Sequence, residues 1–415
     1  MLAGGDSLED LKGLHISSLD GEKEQQNADD DLNGYEDADD EYDDKELEFV
    51  TLGFVEEPKS RWALLRQLFP SKAGGVPAWL DPINLPSGNS CLCDICGEPL
   101  QFLLQVYAPI SEKEFTFHRM LYVFLCPSMT CLLQDQHEQW KRGPEKPSRS
   151  VKVFRCQLSL INSFYSSEPP RCDGSDKALG TEAPLCTWCG AWKGDKVCSS
   201  CRSARYCSEK HQVMHWRSGH KVECAQIAVS SLSYEPSLPN GASLVNMRKV
   251  ASKSIWPEFA IIIEDECEFD REVSNADNHA NLLVSREQMD ETVESLLHNF
   301  EGNDERKSWA TFQECVAKAP EQVLRYCRNA GSGDSEPLWP ASSGRLSKAD
   351  IPRCGYCGGA MCFEFQILPQ LLYYFRVKND VDSLDWATIV VYTCAASCEA
   401  SLAYKEEFAW VQHSS

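Results

Sequence analysis

The sequence predicts a mainly β, α+β protein: a duplicated β-rich domain in two halves, a small two-zinc finger inserted between them, and a disordered acidic N-terminus. Three observations carry this. A Cys-x2-Cys pair followed by a strand-like apolar run occurs twice, at Cys93/Cys96 and at Cys354/Cys357, with matched spacing downstream. Residues 186–224 hold six cysteines and three histidines at metal-ligand spacings. Residues 1–50 carry 18 Asp/Glu against 3 Lys/Arg and few apolar side chains, a composition that buries too little surface to offset the entropy of folding.

The chain has 415 residues, 42% of them hydrophobic, which is room for two or three domains with a real core. The N-terminus MLAGGDSLEDLKG is acidic and has no apolar stretch of the kind a secretory signal needs. Apolar runs such as Leu121 to Cys126 and Ala387 to Tyr392 are too short to cross a bilayer. With 21 cysteines and no such signal, a reducing compartment is expected, where clustered cysteines bind metal more often than they form disulfides. The net charge of −23 sits mostly in the acidic head and in residues 264–305, which hold 14 acidic and 2 basic side chains. This argues against nucleic acid or membrane as a direct partner and favours a basic protein. A purely solvated, inert role for both acidic blocks is the commoner outcome for charge runs.

Taken in order, residues 1–48 form the acidic head and 49–165 the first β-rich half. That half opens on a β-like run, Phe49 to Val55. The segment Phe69 to Leu80 is rich in Pro and Gly and ends on Trp79-Leu80, so a shaped loop with an apolar anchor is expected. Strands follow at Leu100 to Tyr107, Phe117 to Leu125 and Val151 to Arg155. Residues 166–185 are a linker into the finger, 186–224. Residues 225–263 are a second linker ending in the strand Phe259 to Ile263. Within the acidic segment 264–305, apolar residues Met289, Val293, Leu296, Leu297 and Phe300 repeat at helical period. The second half, 306–413, begins with short helices at Trp309 to Val316 and Glu321 to Arg328, the latter preceded by Pro320. In both halves Phe lies six residues and Gln nine residues past the second cysteine (Phe102 and Gln105; Phe363 and Gln366). Both then run through a strand (Leu121 to Leu125; Ile389 to Thr393) into another cysteine pair, Cys126/Cys131 or Cys394/Cys398.

The finger reads Cys186-x2-Cys189, Cys198-x2-Cys201, Cys207-x3-His211 and His220-x3-Cys224. A Cys-x2-Cys turn aims two thiolates at one ion, and an x3 spacing puts two ligands one helical turn apart on one face. Four ligand pairs suit two tetrahedral zinc ions. A crossed arrangement gives Cys186, Cys189, Cys207 and His211 at one site, and Cys198, Cys201, His220 and Cys224 at the other. Sequential pairing satisfies the same count. His215 reads as a surface or supporting histidine beside Trp216, a predicted core residue. Eight ligands for two ions leave no open coordination position, so these are structural sites.

Cys93, Cys96, Cys126 and Cys131 suit one further zinc, and Cys354, Cys357, Cys394 and Cys398 another; free thiols packed at strand ends fit the same pattern. Cys91, Cys156, Cys172, Cys267, Cys315, Cys327 and Cys362 have no partner spacing and read as ordinary thiols. No Gly-rich phosphate loop, G-x-S-x-G or H-E-x-x-H motif occurs, so no catalytic residue is assigned and a non-enzymatic protein is expected.

Residues 186–224 resemble a MYND-type zinc finger through Tyr206-Cys207-Ser208 and His220-Lys221-x2-Cys224, with His211 where most such fingers have cysteine. The flanks resemble the programmed cell death protein 2 family. The N-terminal likeness runs through Leu52-Gly53-Phe54, Phe69-Pro70-Ser71-Lys72-x-Gly74-Gly75-x-Pro77-Ala78-Trp79-Leu80 and Phe102 to Pro109. The C-terminal likeness runs through Glu321 to Cys327 and Phe363 to Leu372. Met361 stands where the family's C-terminal motif is expected to carry arginine. The resemblance implies a non-enzymatic protein of cytoplasm and nucleus. It would act as a dedicated chaperone for a newly made, basic small-subunit ribosomal protein, in support of small ribosomal subunit biogenesis. The alternative it leaves is a MYND-centred transcriptional or apoptosis-related adaptor that binds proline-rich peptides at the finger.

Overall fold

The computed structural model describes residues 50–139, 148–230, 250–269, 304–328, 336–378, 380 and 382–413. The acidic head, the helical period over 286–300 and most of the acidic segment 264–305 lie outside them.

Ten strands close one antiparallel barrel. In chain order they are β1 (Thr51–Glu56), β2 (Lys72–Ala73), β3 (Gln101–Tyr107), β4 (His118–Leu125), β5 (Val151–Leu158), β8 (Phe259–Asp265), β9 (Leu324–Tyr326), β10 (Met361–Ile367), β11 (Thr388–Cys394) and β12 (Tyr404–Gln412). Around the ring the order is β1-β8-β2-β3-β4-β5-β12-β11-β10-β9, and β9 returns to β1. Closure removes every free strand edge from the ring. Both parts of the chain therefore build one sheet. The first strand of each part lies in the other's territory: β1 borders β9, and β8 borders β2.

The strands that read as unbroken apolar runs are buried on both faces. On β4, Leu121, Val123 and Leu125 join a cluster that draws on strands all round the ring, the barrel interior. Met120, Tyr122 and Phe124 face outward against Phe69, Trp79, Leu80, Leu85 and Trp192. On β11, Ile389 and Val391 point in, while Val390 and Tyr392 pack outward with Leu346 and Trp410. Each such side chain contributes about 1.5–3 kcal/mol when fully buried. Two-sided burial removes the alternation that would mark a half-exposed strand.

The cysteine-bearing segments match in detail. The register of β3 on β4 shifts between Phe102 and Leu104, and that of β10 on β11 between Phe363 and Phe365. The bulged residues, Leu103 and Glu364, each lie seven positions past the second cysteine of their pair. The two glutamines also do one job. Gln105 accepts from Ala78 N and donates to Pro70 O, both at 2.8 Å. Gln366 accepts from Leu338 N at 2.7 Å and donates to Leu338 O at 3.0 Å. Each holds the loop that covers its side of the barrel.

The structure corrects two local expectations. Glu321 to Arg328 contains a strand, β9, in place of a helix. Val323, Leu324 and Tyr326 are buried there, Val323 N donates to Gly53 O at 2.8 Å, and the strand bridges β1 to β10, so tertiary pairing overrides local helix preference. Within the expected Phe69 to Leu80 loop, Lys72–Ala73 forms β2. The rest turns through left-handed backbone at Phe69, Gly74 and Gly75. The expected helix at Trp309 to Val316 lies within a longer one, α4 (Asp304–Ala317). The other helices are α1 (Met129–Gln139), α2 (Glu209–His215), α3 (Lys221–Ser230) and α5 (Gln370–Tyr374). No helix among the described residues is long and apolar enough to cross a membrane.

Candidate metal centres

The finger is built on two Cys-x2-Cys turns and two helices. A short hairpin, β6 (Lys196–Val197) with β7 (Arg205–Tyr206), brackets the second turn. Ser208 caps α2, accepting from His211 N at 3.1 Å, and so fixes the helical turn that carries Cys207 and His211 toward one point. A π-turn at Trp216–His220, with Gly219 at φ 147°, swings the chain into α3 so that His220 and Cys224 share a face.

Two groups of four ligands result, in the crossed order. Cys186, Cys189, Cys207 and His211 form one, and Cys198, Cys201, His220 and Cys224 the other; ligand atoms within each group lie within 4.8 Å of one another. Cys207 Sγ is 3.1 Å and Cys186 Sγ 3.6 Å from His211 Nδ1. Cys198 Sγ is 3.7 Å from Cys224 Sγ, and Cys201 Sγ 3.6 Å from His220 Nε2. These donor sets suit tetrahedral zinc with no position left for water. Binding free energy of such ions is folding free energy for a module this small.

His215 supports the second group. It is buried, its Nδ1 is 2.9 Å from the Tyr206 hydroxyl, and it stacks on His220 at 4.6 Å. That contact orients the ligating ring. His215, His220 and Glu223 also cluster, but His220 already faces Cys201, so the trio is not a separate centre. Trp216, expected in the core, is 41% exposed, because the π-turn points it away from the finger's interior.

Another tryptophan does the packing. Trp192 is fully buried on the outer face of the barrel, its ring 4.0 Å from that of Phe124. Its Nε1 donates to Leu100 O at 2.7 Å, and Trp79 Nε1 donates back to Ala191 O at 2.7 Å. The finger is thereby locked to β3 and β4. Between the two lies a cleft of about 460 Å3 bordered by Pro99, Phe102, Trp188, Met214 and Ile255.

The remaining paired cysteines also meet. Cys93, Cys96, Cys126 and Cys131 gather within 4.8 Å at one end of β3 and β4, and Cys354, Cys357, Cys394 and Cys398 do so beside β10 and β11. Of the unpaired cysteines, Cys91, Cys156 and Cys327 are buried, Cys172 and Cys267 exposed, and Cys315 and Cys362 between. Burial pushes the Cys91 and Cys156 thiols up to about 12, which keeps them protonated and inert.

Charges inside the barrel escaped the sequence reading. Glu364 is fully buried and takes both guanidinium nitrogens of Arg119, at 2.7 and 2.8 Å. Tyr326 OH donates to it at 2.8 Å, and Arg328 and Thr393 complete its shell. Burial alone would raise this carboxyl; the two guanidiniums and the hydrogen bonds hold it well below the usual range. A second buried pair, Arg155 with Glu407, joins β5 to β12. Charged residues inside strand-like runs (Arg155 in VKVFRC, Glu364 in CFEFQI) were the available signal.

A closed antiparallel barrel with a docked Cys/His finger defines the chain as a finger-bearing β-barrel protein, and residues 186–224 match the family profile of the MYND finger, which implies zinc binding. Residues 49–172 match "Programmed cell death protein 2, N-terminal domain", and residues 306–413 match "Programmed cell death protein 2, C-terminal putative domain". The chain belongs to the programmed cell death protein 2 family. It is 37% identical to Programmed cell death protein 2 of Bos taurus over 369 residues, spanning 87% of this chain and 95% of that one. It is 27% identical to Programmed cell death protein 2-like of Homo sapiens over 355 residues, 79% of this chain and 85% of that one. A Schizosaccharomyces pombe relative named "Probable 20S rRNA accumulation protein 4" is 21% identical over 349 residues, 78% of this chain and 87% of that one. No solved structure matches the chain.

Proposed function

We propose that this protein is a non-enzymatic, zinc-stabilised carrier of cytoplasm and nucleus that captures a newly made basic ribosomal protein of the small subunit and delivers it for subunit assembly. The observation that carries this reading is the alignment along most of the chain with a relative whose name concerns 20S rRNA accumulation. Charge supports it. A protein of net charge −23 attracts a strongly basic client and shields it from RNA, an attraction that weakens with salt. The finger's closed ligand sets point to a structural role for its zinc. We also read the matched bulges, glutamine clamps and cysteine groups as marks of a duplicated five-strand unit whose first strands have exchanged.

The test is affinity capture of the chain during translation, with the bound nascent chains sequenced. Enrichment of one small-subunit ribosomal protein, reduced when residues 1–48 are removed or salt is raised, is expected. Recovery of no ribosomal protein overturns the reading. The cleft beside Trp188 and Met214 favours a second reading, an adaptor that takes proline-rich peptides at the finger. For that, the isolated partner peptide must protect Trp188 and Met214 in a footprint of the full chain.

A further inference from the structure

The two cysteine groups outside the finger are built like those inside it. In each of the four Cys-x2-Cys turns, the carbonyl of the first cysteine accepts from the N–H four residues on. Gly97 donates to Cys93, Gly190 to Cys186 and Gly358 to Cys354, each at 2.8 Å, and Arg202 to Cys198 at 3.0 Å. In all four turns that fourth residue sits in left-handed backbone: Gly97 at φ 71°, Gly190 at 69°, Gly358 at 70° and Arg202 at 53°. The N–H of the first cysteine then bonds forward to close the turn, Cys93 to Glu98 O at 2.8 Å and Cys354 to Gly359 O at 2.9 Å, as Cys186 does to Trp192 O at 2.8 Å. This backbone leaves the two thiols of a pair aimed at one point.

Sulfur spacing selects the ligand. Four thiolates about 2.3 Å from a zinc ion stand at the corners of a tetrahedron with edges of about 3.8 Å. Cys96 and Cys126 sulfurs are 3.7 Å apart, Cys354 and Cys398 3.7 Å, and Cys357 and Cys394 3.6 Å. A disulfide would need about 2.05 Å. Each group draws two sulfurs from the turn before one strand and two from the chain at or beyond the end of its neighbour, so four thiols converge from separate places.

The second group also has a charge partner. A zinc ion with four thiolates carries net charge −2. Buried Arg155 directs Nη2 to Cys398 Sγ at 3.8 Å and Nη1 to Cys398 O at 3.3 Å. Glu407, which pairs with Arg155, accepts from Cys394 N at 3.0 Å. Outer groups of this kind orient ligands and offset their charge.

We infer that each half of the barrel holds its own structural zinc, one on Cys93, Cys96, Cys126 and Cys131 and one on Cys354, Cys357, Cys394 and Cys398, so that the full chain binds four zinc ions. Both are closed, all-thiolate sites. Each ties the turn entering β3 or β10 to the chain leaving β4 or β11, and thiol protons are released to solvent as the metal binds.

Elemental analysis of the purified full-length chain tests this. Four zinc ions per chain are expected, falling by one in Cys93→Ser/Cys126→Ser and by one in Cys354→Ser/Cys398→Ser. Two per wild-type chain overturns the proposal, and three overturns the matched pair. Because the serine variants are at risk of misfolding, zinc K-edge absorption on the unmodified chain gives an independent readout. With all four groups filled the mean shell has sulfur and nitrogen at 7:1, whereas the finger alone gives 3:1. A 3:1 shell overturns the inference.

Discussion

At the scale of single residues, the buried carboxyl of Glu364 sets the largest expected effects. Glu364→Ala leaves Arg119 fully buried and without its carboxylate, which costs about 3–5 kcal/mol in urea unfolding. Because the folded state holds this carboxyl below its ordinary range, its stabilisation is complete above that range. It is lost as pH falls through it toward the folded value, so acid unfolding of the variant should lack this component. His118 gives a second pH window. Burial lowers it to about 4 from 6.5, against Phe69 at 4.1 Å and the Tyr107 hydroxyl at 3.1 Å. The unfolded chain takes up that proton first, so stability is full above about 6.5 and declines toward 4, by up to about 3 kcal/mol. In His118→Phe the urea midpoint should change less across that interval. A profile that matches the wild type would refute the assignment. Gly74 is a backbone case: at φ 67°, an added Cβ would lie 1.9 Å from Pro257 O, so Gly74→Ala should destabilise the β2–β8 junction. The gathering of the finger's cysteines and histidines into two groups of four was legible because their spacing encodes the turns that present them. Arg119 and Glu364 were not, because 245 residues separate them and neither has a local partner pattern.

At the scale of elements, the finger's attachment to the barrel is the feature most open to test. Trp192→Ala removes a fully buried ring and its bond to Leu100 O, at a cost of about 3–5 kcal/mol. Hydrogen exchange should then rise at the finger–barrel contact while finger zinc is retained; unchanged protection there would mean the docking is held elsewhere. The strands β1, β3, β4, β5, β8, β10 and β11 were visible as β-branched and aromatic runs. β12 was not, because its sequence YKEEFAWVQ places Lys405, Glu406 and Glu407 where a strand pattern expects apolar residues. Glu407 belongs there only because Arg155 waits across the sheet. β9 misled in the opposite sense, its short segment carrying good helix formers after Pro320 while the barrel required a closing strand. α1 also passed unseen, its Cys131 being read as a ligand without a helix to carry it.

At the scale of the whole molecule, the mainly β class and the finger's position between two β-rich, cysteine-bearing segments were legible, and the closure of those segments into one barrel was not. Closure depends on β1 meeting β9 and β5 meeting β12, pairings that no local pattern reports. The cysteine groups and the barrel should therefore lose stability together. Chelation is expected to lower the cooperative thermal transition of the full chain, whereas loss of the finger alone would leave the barrel transition in place, as calorimetry would resolve. Ending the chain before Tyr404 should expose both β5 and β11 and yield aggregate on size exclusion. The same seam has a consequence for synthesis. Arg155 and Glu407 are 252 positions apart, and at about 5–20 residues per second a ribosome needs roughly 13–50 s to make the chain between them. Throughout that interval β5 has been made and β12, its partner on the side away from β4, has not. The protein thus passes that stretch of its manufacture with an unpaired β-edge, and the arrival of β12 decides whether that edge is sealed or joins another chain.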